Sequence, residues 1–147
     1  MKTYSAKKSD VKREWYLMDA TDQTLGRLSS AIAKLLTGKN KPMFTKHIDT
    51  GDNVIVINSD KIKVSGKNKE LQKKYYHHSH FPGGLKETTY KEQMEKDSTK
   101  VIWHSVRGML PVNKLRDDRL LRLKIYKDAD HKHTAQKPTE IKLEDIK

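Results

Sequence analysis

The stretch WYLMDATDQTLGRLSSAIAKLLTG, residues 15–38, decides the fold, because its hydrophobic period changes part-way along. WYLMD, residues 15–19, is a short apolar run suited to a buried strand. Beyond it, Thr21 or Asp22 is placed to cap a helix. Leu25, Leu28, Ile32, Leu35 and Leu36 then recur at helical spacing on one face, and Gly38 follows as a C-terminal stop. A strand leading directly into an amphipathic helix is the opening of a β–α unit. Gly26 falls inside that helix beside the apolar stripe, a position that suggests close packing.

Outward from this unit, VIVI at residues 54–57 is β-branched and shows no polar alternation. Such a run predicts a strand covered on both faces, as in a parallel sheet. Ile62 and Val64 alternate with lysines and suggest a further short strand or an edge. Gly66-Lys67-Asn68 reads as a turn, and KKYYHHS, residues 73–79, as extended or irregular chain. Pro82-Gly83-Gly84 breaks the chain before a polar helix around residues 88–96. Ser98 is placed to cap a second helix with Val101, Ile102, Ser105, Val106 and Met109 on one face, stopped by Pro111. Asn113 can cap a third stretch through Leu115 and Leu120, and RLKIY, residues 122–126, predicts a strand. The pattern is that of one α/β domain with helices on a mainly parallel sheet of about four strands. It divides into a basic arm (1–14), the domain itself (15–126) and a C-terminal surface extension (127–147).

Across 147 residues, 31 Lys and Arg face 19 Asp and Glu, a net charge of +12. The excess is concentrated: residues 1–15, 34–47, 61–80 and 107–124 are strongly basic, whereas 48–60 carries three aspartates and no base. Basic clusters separated by acidic joints suit a winding phosphate backbone. The absence of cysteine excludes a disulfide framework, a thiolate metal site and thiol catalysis. No apolar run approaches the roughly 20 residues of a membrane span, and residues 1–15 lack the apolar stretch of a signal peptide, so a soluble intracellular protein is expected.

An α/β sheet invites a nucleotide-dependent enzyme, whose phosphate loop would lie at the first strand-to-helix junction. That junction, DATDQTLGRL, has neither GxGxxG nor a Walker lysine, and GxSxG and HExxH are absent throughout. His77, His78 and His80, like His131 and His133, could be metal ligands, but no cysteine and few carboxylates lie near them. A basic, partly aromatic RNA surface suits them better, with Tyr75, Tyr76 and Phe81 offering faces to unpaired bases. Neighbours in a strand face opposite ways, so one tyrosine is expected to be buried and the other available. DTGDN, residues 49–53, reads as a turn whose aspartates bond nearby backbone amides rather than as a catalytic or magnesium set.

Six motifs in order carry a resemblance: DATDQTLGRLSS (19–30), GKNKP (38–42), HIDTGDNVIVIN (47–58), YYHHSHFPGGLK (75–86), VRGMLP (106–111), and LKIY leading to HKHTAQKP (123–138). In these the chain resembles the bacterial form of large-subunit ribosomal protein thirteen, from Trp15 to about Pro138. The resemblance implies a three-layer α/β/α domain whose basic loops and terminal extensions bind ribosomal RNA beside neighbouring ribosomal proteins. It implies a cytoplasmic role in the large subunit, in assembly and translation, with no catalysis, cofactor, metal, membrane or small-molecule substrate. A free regulatory RNA-binding protein is the other binding alternative. Four positions depart from the family pattern: Arg116 and His80 stand where it usually has glycine, and Lys46 and Lys132 where it has proline. Lys39, Lys41, Lys67, Lys73, Lys74 and Arg116 are expected to contact phosphates, as are Arg107 and Lys114 near the end of the second helix. Tyr76, His77 and His78 are expected to stack or hydrogen-bond, with His47, His80, His131 and His133 completing the RNA-binding set.

Overall fold

Strands β1 (Trp15–Asp19) and β2 (Asn53–Ile57) lie side by side in parallel, Trp15 opposite Asn53 and Asp19 opposite Ile57. The computed structural model describes residues 4–146, so the first three residues of the basic arm and Lys147 lie outside it. Helix α1 (Leu25–Thr37) makes the crossover between the two strands. β5 (Leu123–Ile125) pairs with the far side of β2, and β6 (Thr139–Glu140) with the free side of β1, giving the all-parallel order β5-β2-β1-β6. Strands β3 (Lys74–His78) and β4 (Leu85–Thr89) form a separate antiparallel hairpin. The short helix α2 (Lys69–Gln72) leads into that hairpin, and α3 (Tyr90–Met109) and α4 (Arg116–Leu121) complete a single α/β domain consistent with a three-layer α/β/α arrangement.

The continuous apolarity of VIVI is explained by burial on both faces. Val54 and Val56 join Met18 and Leu123 in the main core with α1 and α3, and all four α1 leucines and Ile32 are buried there. Ile55 points the other way and is also fully buried. On that face the segment after β5 brings His133 against Trp15, with ring centroids 5.2 Å apart, and against Tyr126, at 6.0 Å. The described part of the extension, residues 127–146, is thus held at two places, by this packing and by β6. Beyond β6, Leu143 and Ile146 pack on the core.

Several local expectations are corrected. Neither Thr21 nor Asp22 caps α1. Asp19 accepts hydrogen bonds from the Thr21 amide and hydroxyl at 2.9 and 2.7 Å, which folds residues 19–22 into a turn and puts Asp22 at φ 59°. The helix therefore starts later, with Thr24 as its extended N-cap residue. Ile62 and Val64 form no strand; the chain there makes one parallel bridge, Thr24 to Lys63. α3 bends at Asp97, whose φ of −164° and ψ of 100° interrupt the helix. Asp97, not Ser98, caps the second half, accepting from the Thr99 amide and hydroxyl at 3.1 and 2.6 Å. Ser98 is buried instead, its hydroxyl 2.7 Å from that of Ser59. Met109 is 44% exposed rather than packed inward, because the helix ends at it and its neighbour Leu110 takes the buried position.

The glycines exchange roles as well. Gly26 is exposed, and a Cβ there would meet nothing within 4 Å, so close packing is not its reason. The tight position is Gly51, where a Cβ would lie 1.8 Å from the Leu36 carbonyl oxygen. Gly38 behaves as expected, closing α1 at φ 79° with its amide bonded to the Lys34 and Leu35 carbonyls.

DTGDN is a junction of ion pairs rather than a self-contained turn. Asp49 accepts from Arg122, with Nη2 at 2.7 Å and Nη1 closer still, and from Arg119 Nε at 3.4 Å, while Arg13 lies 3.7 Å away. Asp52, fully buried, pairs with Lys41 Nζ at 2.5 Å and accepts from the Glu14 amide at 2.9 Å. These bonds tie the N-terminal arm, the turn after α1, α4 and the entry to β5 to one pair of carboxylates.

Candidate nucleic-acid interface

The β3–β4 hairpin stands on α3: the Tyr90 amide donates to the Lys73 carbonyl at 2.8 Å, and Thr89 caps the helix in a reciprocal box with Glu92. Strand alternation divides the two tyrosines as expected. Tyr75 turns inward beside His104, ring centroids 5.7 Å apart, and burial pushes its hydroxyl up to about 12, so it stays a neutral phenol. Tyr76 is 62% exposed, and His77, His78, His80 and Phe81 extend the outer surface to the hairpin tip. Lys74 pairs across the strands with Glu87 at 2.8 Å, an exposed contact of little energetic weight.

The tip has an identifiable strain. His80 sits at φ 66°, in the left-handed region, with its amide donating to His78 Nδ1 at 2.9 Å. A glycine adopts that conformation without a Cβ penalty. His80→Gly is therefore expected to stabilise the folded protein by up to about 1 kcal/mol. A urea midpoint that falls in the variant would contradict this.

The basic residues fall into two groups. Lys39, Lys67, Arg107 and Lys114 are exposed, Arg107 with its guanidinium carbon 5.6 Å from the Trp103 ring centre. Lys73 is half-buried, its ammonium 5.5 Å from the centre of the Tyr75 ring. Lys41, by contrast, is turned inward to Asp52 and to the Lys12 carbonyl, which matches its charge inside the protein. Arg116 is half-buried, and its Nε has no hydrogen-bond partner among the described residues. His47 is exposed, with Nε2 3.4 Å from the Ser5 hydroxyl. His131 and His133 are half-buried at the sheet, the His133 amide donating to His131 Nδ1 at 3.2 Å.

At the end of β1, two backbone amides are already taken by the 61–63 segment. The Leu25 amide, which a bound phosphate would need, donates to the Lys63 carbonyl at 2.9 Å, and the Asp22 amide to that of Lys61 at 3.2 Å. Fold and surface together define a small basic α/β protein that displays cations and aromatic rings on loops and a hairpin. The chain belongs to the ribosomal protein L13 family, whose model matches residues 13–132. It is 51% identical over 145 residues to large ribosomal subunit protein uL13 of Caldanaerobacter subterraneus subsp. tengcongensis, covering 98% of this chain and 100% of that relative. The protein of the same name from Syntrophus aciditrophicus is 52% identical over 143 residues, covering 97% and 100%, and that from Agathobacter rectalis 54% over 138, covering 94% and 96%.

Proposed function

We propose that this protein is a structural constituent of the large ribosomal subunit in the cytoplasm, binding large-subunit ribosomal RNA beside neighbouring ribosomal proteins. It works without catalysis. The observation that carries the reading is the β3–β4 hairpin, which holds Tyr76, Phe81 and three histidines out in solvent while its other face is anchored on α3. Exposed aromatic and imidazole groups of this kind stack on unpaired bases and donate to phosphate or ribose. Around it, Lys39, Lys67, Lys73, Lys74, Arg107, Lys114 and Arg116 act as phosphate contacts, and His47, His131 and His133 extend the surface. The arm, residues 1–14, and the extension, 127–147, add contacts to more than one RNA helix, so that binding holds their relative orientation during assembly.

The contribution of charge is tested by salt. If about six phosphates are neutralised, affinity for a large-subunit RNA fragment is expected to fall roughly a thousandfold between 50 and 200 mM salt. A flat response would overturn the electrostatic reading. Sedimentation separates the ribosomal role from the alternatives: the protein should co-migrate with large subunits after a moderate-salt wash, whereas a free regulatory protein or an enzyme should stay in the soluble fraction.

A further inference from the structure

A cleft of about 630 Å³ opens between α1, the 39–46 segment and the turn after α3. Four cations line it, Lys34, Lys39, Lys46 and Arg119, and no acidic residue does. Arg119 is 1% exposed, and although its Nε reaches Asp49, its Nη1 is buried with no partner among the described residues. A buried guanidinium nitrogen left unpaired costs free energy, and Arg119 sets that cation in the wall of the cleft. The rest of the wall mixes polar Ser30, Thr37 and Asn113 with an apolar part, the half-buried ring of Phe44 with Pro111 and the exposed Met109.

We propose that this cleft receives a single unpaired nucleotide of an RNA chain, its base against Phe44, Met109 and Pro111 and its flanking phosphates on the surrounding cations. The inference rests on the RNA-binding reading above and names a second place, away from the hairpin, where a base is held. Two features favour a nucleotide over an acidic peptide. The cleft joins two of the four basic stretches, 34–47 and 107–124, so it is continuous with a surface that tracks phosphates. A nucleotide within a strand also brings a phosphate on each side, which suits several cations with no intervening acid. Asn113, on the rim, uses its Oδ1 to accept from the Leu115 amide at 3.1 Å, and its carboxamide nitrogen is left to donate to a base edge.

The test uses the full chain with isotope-labelled methionine methyls and four probes: single-stranded oligo(A) and oligo(U) hexamers, a blunt RNA duplex of equal length, and a glutamate-rich peptide. The Met109 methyl resonance is expected to shift with a hexamer and not with the duplex. Phe44→Leu, which keeps an apolar side chain but removes the stacking face, should weaken hexamer binding about fivefold or more while leaving duplex affinity unchanged. Asn113→Asp preserves the acceptor for Leu115 and places a negative charge at the rim, so it should weaken hexamer binding in a chain whose thermal unfolding is that of the parent. Hexamer binding with an unmoved Met109 and no effect of either variant overturns the cleft assignment and leaves the RNA-binding reading standing. Failure to bind any RNA removes both. A Met109 shift with the peptide alone assigns the cleft to a partner protein instead.

Discussion

Gly51→Ala is expected to remove more than about 4 kcal/mol of stability, a large share of the roughly 5–15 kcal/mol total of a domain. The added methyl would lie 1.8 Å from the Leu36 carbonyl oxygen and 2.5 Å from the Leu36 carbonyl carbon, and the Arg122 Nη2 atom would crowd it at 3.0 Å. Two of these neighbours are backbone at the end of α1, so relief requires moving the helix and β2 apart. Gly26→Ala is the matched control, because it adds a methyl to a helix glycine with open space around it. Thermal unfolding followed by circular dichroism separates the two. A Gly51→Ala midpoint within a few degrees of the parent would show that the close approach of residues 36 and 51 is not needed.

Asp49→Ala is expected to cost about 3–5 kcal/mol, the usual penalty for leaving a buried ionic partner uncompensated. Arg119 is 1% exposed and the Arg122 and Asp49 side chains 12% each, so solvent cannot replace the lost carboxylate. The pair is not expected to be worth that much against an apolar filling. A triple variant, Asp49→Leu with Arg119→Met and Arg122→Met, removes both guanidinium groups along with the carboxylate and should therefore be less destabilised than Asp49→Ala alone. Urea denaturation of the three chains checks this. A loss below about 1 kcal/mol in Asp49→Ala would mean that the network is screened like a surface pair.

The parts legible in the sequence were those encoded by neighbours along the chain. β1, the apolar face of α1 and β2 were readable because the hydrophobic period and Gly38 are local signals, and each lies where the pattern placed it. Helix starts were less legible, since Asp19 and Asp97 each draw a threonine two residues on into a side-chain turn that competes with the obvious cap. The ion pairs of Asp49 with Arg119 and Arg122 were not legible: the partners are 70 and 73 positions apart, and nothing in DTGDN distinguishes a turn from a hub. At the interface, alternation correctly separated Tyr75 from Tyr76. It could not reveal that Lys41 is occupied by Asp52, or that Phe44 and Arg119 share one cleft, because both depend on how the turn after α1 folds back.

β6 has a consequence for the order in which the chain is made. Among the described residues β1 is the first strand, yet one of its two edges is covered by residues 139–141, more than a hundred positions later. During synthesis from the N-terminus, β1 can pair with β2 as soon as the α1 crossover has emerged, while its other edge waits for nearly the whole of the remaining chain. Through that interval the nascent domain carries an open strand edge, a template for pairing with another chain. A ribosome stalled before residue 139 should therefore hold a domain with its main core assembled and one backbone ladder still exposed to whatever strand arrives first.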